Sequence, residues 1–167
     1  MDNIMEIKDS KIITEIVNKA FLTVALQLNY TKENAPRFGA FINYEEIEND
    51  LNNGLKMYGY CINGQIIGCA GYSYYKDQIY FIKRLATLPE YRHMGIGKKL
   101  MEYVENKIYE NNGKLIEINV VDQNNTLIEW YKKLNYVYIR IDDLSKIERN
   151  GKKIFPFNSY VMHKILK

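Results

Sequence analysis

The chain has 167 residues, of which 47% are hydrophobic and 26% charged, and its formal net charge is +3. This predicts one globular domain over residues 1–167, and the small charge excess argues against nucleic-acid or membrane-surface binding. No apolar run approaches the ~18 residues of a membrane span. The acidic N-terminal MDNIMEIKDS does not resemble a secretory leader, so we expect a cytoplasmic protein.

The first third of the chain predicts one strand and two helices. Residues Ile4–Ile7 can form a short strand, and Ser10 can cap a helix with a broad apolar face. In NYEEIENDLNNG, Asn43 and Glu46 have the three-residue spacing of a capping box. The irregular YTKENAPRFGAF lies between the two helices.

A β meander follows, made of LKMYGYCI, QIIGCAGYSYY and QIYFIKRLAT. These stretches are rich in Ile, Tyr and Phe and are separated by Asn-Gly and Lys-Asp turns. With the Asn-Gly pair as a two-residue turn, Cys61 faces Ile66 and Cys69 faces Tyr58. We therefore expect two buried thiols rather than a disulfide, and the two histidines offer no metal-ligand spacing.

The second half alternates helices and strands. IGKKLMEYVENKIYE has apolar residues at a spacing of four and predicts a helix, KLIEINVV predicts a strand, and NNTLIEWYKKLN predicts a second helix. YVYIRID and SYVMHKIL are closing strands joined by a polar segment. The crossover from the fourth to the fifth strand implies a parallel pair. We expect an α/β (α+β) fold with a mixed, mostly antiparallel sheet of about seven strands and about four helices.

The segment PEYRHMGIGKKLMEYVE places two glycines where a helix begins. It fails as a Walker A loop, because Arg92 replaces the first glycine and Lys99 the final Ser or Thr. It also fails as a dinucleotide fingerprint, because Leu100 replaces the third glycine. A general anion site remains, with free N–H groups at the helix start and added charge from Arg92 and Lys98. On this segment alone, a purely structural turn is equally consistent.

Two motifs together resemble the GNAT superfamily of N-acetyltransferases. RLATLPEYRHMGIGKKLMEYVE is similar to its acetyl-CoA-binding segment, where Arg/Gln-x-x-Gly-x-Gly/Ala follows the fourth strand. VVDQNNTLIEWYKKLNY is similar to its second signature, with Asn124, the Trp130-Tyr131 pair, and Asn135-Tyr136 in place of the usual Gly-Phe. The predicted element order is also the family's, so the resemblance covers nearly the whole chain.

The resemblance implies that the fourth and fifth strands splay apart and hold acetyl-CoA as co-substrate, with no metal. The backbone of Leu85, Ala86 and Thr87 would bond the pantetheine arm, and Asn124 would contact that arm from the other side. The residues that would hold the pyrophosphate are Arg92, His93, Met94, Gly95, Ile96, Gly97 and Lys98.

By the same resemblance, Tyr131 would be the general acid at the departing sulfur. A thiol has a reference pKa of ~8.5 and a tyrosine ~10, so a nearby phenol can protonate the thiolate as its charge develops. Without the motif, Tyr131 would be read as a packing residue, because the chain has 15 tyrosines.

The general base stays open. Some protein N-terminal acetyltransferases of the superfamily carry a Glu at the position of Asn119, and an amide cannot accept a proton. Glu117, on the same strand face, is a weak substitute, and its alternative reading is a solvated strand residue. Water could also carry the proton, since an α-amine of pKa ~7.7–8.0 is partly neutral at pH 7.

The acceptor is expected to be a primary amine of a small molecule or a peptide. Its site would be shaped by residues 30–41, the helix from Glu45 and residues 142–159. Lys83 and Arg84 on the fourth strand could favour an acidic group on the acceptor, but the favoured reading is that they alternate between surface and cleft with no such role. The alternative is an acyl-CoA-binding or sensing module with weak or no catalysis, suggested by the missing Glu. A nucleic-acid-binding role is a distant third. A homodimer through the C-terminal strands is compatible with the sequence.

Overall fold

The computed structural model describes residues 3–167. It contains four helices and nine strands, and their order is the predicted one apart from one added hairpin. The elements are β1 (Ile4–Ile7), α1 (Ser10–Gln27), α2 (Tyr44–Asn52), β2 (Lys56–Ile62), β3 (Gln65–Lys76), β4 (Ile79–Thr87), α3 (Ile96–Glu110), β5 (Leu115–Val121), α4 (Asn125–Lys133), β6 (Val137–Asp142), β7 (Glu148–Arg149), β8 (Lys152–Lys153) and β9 (Ser159–Ile165).

Seven strands form one sheet in the order β1-β2-β3-β4-β5-β9-β6. Only β4 and β5 pair in parallel, and all the other neighbours are antiparallel. The predicted mixed sheet with a parallel fourth and fifth strand is confirmed. None of the helices in residues 3–167 is long and apolar enough to cross a membrane.

The short β7–β8 hairpin lies in the polar segment between the two closing strands, where no strand was predicted. Its turn is Asn150-Gly151, with φ angles of 54° and 73°. Positive φ at both central residues is what the tight type I′ hairpin turn requires, and Asn-Gly supplies it at low cost. The same dipeptide signal that predicted the β2–β3 hairpin was therefore present here and was missed.

The cap of one helix differs from the sequence-based expectation. Asp9, not Ser10, caps α1, because its carboxylate accepts hydrogen bonds from the backbone N–H groups of Lys11 at 2.9 Å and Ile12 at 3.2 Å. Both residue types cap well, so the sequence pattern allowed either register. The capping box of Asn43 and Glu46 on α2 is confirmed.

The predicted cross-strand partner is confirmed for Cys61 and wrong for Cys69. Cys61 pairs with Ile66 as expected, but Cys69 pairs with Gly59 because a bulge after Tyr60 shifts the ladder by one residue. Both cysteines are free. Burial raises the pKa of the Cys69 thiol to about 12, so this group is an inert part of the core.

The two faces of the sheet carry different helices. Tyr103 of α3 packs on Tyr58, and Lys164 of β9 binds Glu105 of α3, so these strand residues lie on what we call the α3 face. Side chains point alternately to the two faces along a strand, and this alternation along β5 puts Val121 on the face opposite the α3 face. There it packs under α1, and we call this the α1 face.

Two groups of buried side chains stabilise this arrangement. The main core fills the space between the sheet and its helices, with fully buried Ile, Leu, Val and Met side chains from both layers. A smaller group, here called the aromatic cluster, lies at the end of α1 on the α1 face. Its buried members are Ala25, Tyr30, Ala35 and Phe38, with Phe21, Val121 and Phe157 packed against them.

Candidate active site

The centre of the sheet opens into a gap between β4 and β5. The parallel pairing is confined to Ile79 with Leu115, Tyr80 with Ile116 and Phe81 with Glu117. Beyond these pairs, residues 82–87 and 118–121 face each other without a ladder. Each strand therefore presents an internal edge of backbone N–H and C=O groups that a ligand can pair with. The predicted splay of these strands is confirmed.

A bulge shapes the β4 side of this gap. Cys69 pairs with Ala86 but Gly71 pairs with Lys83, so β4 carries one extra residue here, and Arg84 adopts a φ of 58°. Such a bulge bends its strand and redirects the backbone. Leu85, Ala86 and Thr87 follow it and form the last part of the β4 edge along the gap.

The side chain of Arg84 ties this bulge to α2. Its guanidinium lies 3.3 Å from the carboxylate of Asp50. Within the part of the chain that the structure describes, Arg84 Nε is the one fully buried side-chain nitrogen or oxygen without a hydrogen bond. Lys83 is exposed instead, with its ammonium 5.7 Å from the ring centre of Phe81.

Helix α3 begins at the open end of the gap without a side-chain cap. Its N-cap residue is Gly95, with a φ of 77°, whereas a side chain caps each of the other three helices. The first N–H groups of a helix have no internal acceptor and lie at the positive end of its dipole. In α3 these are the N–H groups of Ile96, Gly97 and Lys98, and Gly95 leaves them open to an anion.

Gly97 lies where three segments of the site meet. A Cβ added to it would lie 3.6 Å from Trp130 Cζ2 on α4 and 3.9 Å from Thr87 Oγ1 at the end of β4. These are ordinary van der Waals distances, so the space beside Gly97 is narrow but not filled. A side chain here would narrow the approach to the helix start.

The two cationic side chains of the loop, Arg92 and Lys98, lie in different environments. The guanidinium of Arg92 donates to Thr23 Oγ1 at 2.8 Å and to the carbonyl oxygen of Ala20 at 2.6 Å, and burial lowers its pKa. Arg92 thus fixes the loop to α1. Lys98 is exposed, with its ammonium 3.8 Å from Glu102 one turn further along α3. Contact of either side chain with a pyrophosphate stays a prediction.

The remaining loop residues offer mainly their backbone. His93 and Met94 are exposed, and His93 has a φ of 63°. Ile96 is buried and anchors the first turn of α3 in the core. The predicted contribution of these residues to cofactor binding would therefore come from their N–H groups.

The two residues of the second motif flank the gap from α4. The side-chain oxygen of Asn124 accepts a hydrogen bond from the N–H of Leu127 at 3.2 Å and caps α4, which leaves its NH₂ group as the free donor. Tyr131 is only 6% exposed and packs edge-on against Trp130 and Tyr136. Tyr136 binds Glu105 of α3, so Tyr131 approaches from the α3 face.

The Tyr131 hydroxyl remains accessible despite this burial. It makes no hydrogen bond within residues 3–167, and it is not among the fully buried polar atoms. Part of its surface is therefore accessible, although the ring is enclosed. Burial raises the pKa of Tyr131 well above its usual value of 10.0, which keeps the phenol protonated and able to donate a proton at neutral pH.

Glu117 is not a solvated strand residue, so that reading of the sequence is wrong. Its side chain is 13% exposed, and its two oxygens lie 2.7 Å from His163 Nε2 and 3.3 Å from Arg140 Nη2. Asn119 is exposed, and its Oδ1 accepts a hydrogen bond from Ser159 Oγ at 2.9 Å. Sequence reasoning missed His163, because the β5–β9 register that brings it to Glu117 is not visible in the sequence.

Loops form the far side of the gap on the α1 face. The Tyr30 hydroxyl donates to Gln123 Oε1 at 2.6 Å, just before Asn124, and burial raises its pKa to about 12. The backbone N–H of Asp122 donates to the Asn158 carbonyl, and the N–H of Asn158 to the Asp122 carboxylate, both at 3.1 Å. The end of β5 is therefore tied to two of the three segments that were expected to shape the acceptor site, residues 30–41 and 142–159.

Comparisons with known proteins agree with this arrangement. A family model described as the acetyltransferase (GNAT) family matches residues 19–136. An acetyltransferase of the GNAT family from Staphylococcus aureus Mu50 has a similar structure, with a TM-score of 0.72, 20% identity, and 99% of both chains covered.

Two further solved structures share this fold. One is a PaiA N-acetyltransferase from Thermoplasma acidophilum in complex with coenzyme A, with a TM-score of 0.73, 18% identity, and 98% of this chain and 99% of that one covered. The other is the ribosomal-protein-S18-alanine N-acetyltransferase from Escherichia coli, with a TM-score of 0.71, 13% identity, and 99% and 94% covered. At these identities the likeness shows a common fold.

Proposed function

The chain belongs to the GNAT family of acetyltransferases, and from this premise we propose that it transfers the acetyl group of acetyl-CoA to a primary amine of a small molecule or a peptide. One observation carries the proposal. The gap between β4 and β5 presents two unpaired backbone edges beside the uncapped start of α3. This combination suits a long ligand with amide groups at one end and a pyrophosphate at the other.

The cofactor is proposed to lie along the gap with its pantetheine arm on the β4 edge. The amides of the arm would pair with the backbone of Leu85, Ala86 and Thr87, and the NH₂ group of Asn124 would contact the arm from α4. The pyrophosphate would lie on the N–H groups at the start of α3. The residues assigned to it remain Arg92, His93, Met94, Gly95, Ile96, Gly97 and Lys98, of which Arg92 acts through its backbone and by fixing the loop.

Tyr131 is proposed as the acid of the reaction. The amine nitrogen attacks the thioester carbonyl carbon, the C–N bond forms, and the C–S bond then breaks with its electron pair on sulfur. The nitrogen loses one N–H proton, and the sulfur takes the proton of the Tyr131 hydroxyl and leaves as CoA thiol. Tyr131 regains a proton from solvent, so the products are the amide and CoA thiol. Support comes from the accessible, unbonded hydroxyl on an otherwise buried ring and from its raised pKa, which keeps the phenol protonated.

The acceptor is proposed to reach the thioester from the α1 face, opposite Tyr131. One of the similar structures is named for the alanine of ribosomal protein S18, but at 13% identity the likeness shows only a common fold and does not select an acceptor. Next to the Arg84 bulge, an open pocket of mixed charge lies along α2, and both carboxylates and guanidinium groups line it. The lining residues are Arg37, Asn43, Glu45, Glu46, Asn49, Asp50 and Arg84.

A binding and turnover experiment tests the proposal. The chain has a single tryptophan, and Trp130 lies beside Gly97, so its fluorescence should change when CoA binds. Purified protein is titrated with CoA and then assayed for thiol release from acetyl-CoA with polyamines, amino acids, aminoglycosides and peptides. We expect saturable binding and turnover with at least one amine class.

The same experiment separates the alternative function. An acyl-CoA-binding or sensing module would bind CoA and release no thiol above the hydrolysis background with any amine. The missing Glu at Asn119 is the observation that favours it. Turnover that depends on an amine, together with acetylated product seen by mass spectrometry, rules this alternative out.

We also propose that residues 1–167 act as one domain in the cytoplasm and associate as a homodimer. Support for a dimer comes from β6, which is the edge strand of the sheet and exposes Val137, Tyr138 and Ile141 by half or more of their surface. An unpaired strand with exposed apolar side chains invites pairing with a second strand. Sedimentation of the wild type and of Ile141→Lys checks this proposal, since the lysine should yield monomers.

A further inference from the structure

A polar pair lies on the α1 face at the closed end of the gap. Glu117 is the last residue of β5 that pairs with β4, and its cross-strand partners are Phe81 on β4 and His163 on β9. Residues paired across strands lie on the same face of a sheet. Glu117 and His163 are therefore side by side where the two strands begin to separate, on the face from which the acceptor is proposed to arrive.

The contact between His163 and Glu117 favours one tautomer of the imidazole. His163 Nε2 lies 2.7 Å from Glu117 Oε2. An ionised carboxylate can only accept hydrogen bonds, so the hydrogen between the two is on Nε2. The neutral ring then has its lone pair on Nδ1, and no hydrogen bond within residues 3–167 occupies it. A carboxylate that fixes the tautomer of a histidine in this way also stabilises the imidazolium after the ring takes up a proton.

The surrounding groups leave His163 as the suitable proton acceptor on this face. Arg140 Nη2 lies 3.3 Å from Glu117 Oε1, and Arg140 also binds Asp142, so the second carboxylate oxygen is engaged. Asn119, the next residue along the face, carries an amide that cannot accept a proton. His163 is 19% exposed, so solvent reaches its ring.

We propose that His163, oriented by Glu117, accepts through solvent the proton that the amine nitrogen loses during acetyl transfer. This inference rests on the proposed function. As the C–N bond forms, the N–H proton passes to His163 Nδ1, while the sulfur takes the proton of Tyr131. His163 then releases its proton to solvent and Tyr131 regains one, so the products are the amide and CoA thiol. Glu117 is a positioning residue in this scheme, rather than the base itself.

His163→Gln tests the proposal with little disturbance of the pair. The glutamine amide can still donate to Glu117 but cannot take up a proton. We expect kcat to fall by about 10²-fold, within the usual range for loss of a general base, while CoA affinity from Trp130 fluorescence stays unchanged. Glu117→Gln should lower kcat less, by about tenfold, because the imidazole remains but loses its fixed tautomer.

Lys164→Gln is the matched control. It breaks a pair of the same length on the same strand, between Lys164 and Glu105 at 2.7 Å, but on the α3 face. It should leave kcat and its pH dependence as in the wild type. If His163→Gln folds, binds CoA and keeps kcat within about threefold of the wild type, His163 is not the proton acceptor.

If His163→Gln fails to fold, a measurement on the wild type tests whether His163 accepts the proton. The pH profile of kcat/KM is recorded with two acceptors that differ in amine pKa, an α-amine of ~7.7–8.0 and a lysine side chain of ~10.4. The limb of the pH profile that comes from the acceptor amine shifts with the pKa of that amine. A limb from the protein's own proton acceptor, which the Glu117, Arg140 and Asp142 charges surround, stays at the same pH with both amines. A profile with no fixed limb overturns the inference.

Failure of this inference and failure of the proposed function give different results. If the wild type turns over no amine, the proposed function fails and this step falls with it. If the wild type turns over an amine but His163→Gln matches it, only the assignment of the proton acceptor is wrong.

Discussion

The two sides of the gap are built in different ways. The proposed cofactor side consists of the end of β4, the start of α3 and α4, which are regular elements packed on the main core. The proposed acceptor side includes residues 28–43 and 143–158, which are mostly irregular and held by the aromatic cluster and by single hydrogen bonds. A ligand common to a family can be held by regular backbone, whereas a variable ligand needs loops that can change.

This difference also predicts how the two sides respond to mutation. Changes on the cofactor side should alter chemistry or CoA affinity with little effect on the choice of acceptor. Changes on the acceptor side should alter the KM of the amine and leave CoA affinity in place. The predictions below test that separation, starting with the largest expected effect.

Tyr131→Phe should lower kcat by about 10²–10³-fold, within the usual range for loss of a general acid. It removes only the hydroxyl, which makes no hydrogen bond to residues 3–167, so stability and CoA affinity should hardly change. Thiol release gives kcat, and Trp130 fluorescence gives the affinity for CoA. An unchanged kcat would mean that another group or water protonates the sulfur.

Tyr136→Phe is the matched control for this variant. Its hydroxyl donates to Glu105 at 2.8 Å, so removing it should cost about 1.5–3 kcal/mol of unfolding free energy, as for hydrogen bonds to charged groups. We expect kcat to stay within about twofold, because Tyr136 lies behind Tyr131 in the core. Tyr131→Phe should thus lower kcat with little loss of stability, whereas Tyr136→Phe should lower stability with little change in kcat.

Gly97→Ala should weaken CoA binding by about tenfold, which corresponds to about 1.4 kcal/mol. The new methyl group fits the protein, with its nearest neighbour at 3.6 Å, but it narrows the space over the free N–H groups. The helix itself should gain about 0.5–1 kcal/mol from replacing glycine. Calorimetry of CoA binding and urea unfolding measure the two effects, and unchanged affinity would move the pyrophosphate away from this residue.

Gly95→Ala provides a useful contrast to Gly97→Ala. At a φ of 77°, an alanine costs about 1–2 kcal/mol of backbone strain, so this variant should lose stability as well as affinity. If both glycine variants lost stability equally, the space beside Gly97 would be tighter than the structure indicates.

The pH dependence of stability should report the burial of Tyr131. Its folded-state pKa is raised above the usual 10.0 by burial, so its contribution is complete below pH 10 and is lost as the pH rises further. The unfolding free energy of the wild type relative to Tyr131→Phe should be constant up to about pH 10 and then decrease by about 1.4 kcal/mol per pH unit. Urea unfolding at pH 8–11 checks this, and a constant difference over the whole range would contradict the burial of this phenol.

Much of the fold and the uncapped start of α3 could be predicted from the sequence because short-range patterns determine them. The apolar spacing of four defined α3, and Gly95 and Gly97 marked its open start. Long-range register could not be read in the same way. The bulge after Tyr60 and the cross-strand pair of Glu117 with His163 depend on how whole strands align, and no local pattern reports that alignment.

Tyr30→Phe should give the smallest effect and test the acceptor side directly. It removes the hydrogen bond to Gln123, worth about 1 kcal/mol, but retains the ring in the aromatic cluster. We expect the KM of the amine to rise by about threefold while CoA affinity stays unchanged. Tyr109→Phe, on an exposed tyrosine of α3, is the control and should change neither value. Because Gln123 directly precedes Asn124, a fall in CoA affinity with an unchanged KM would show that the aromatic cluster positions the cofactor side, and the two sides would then not be separable.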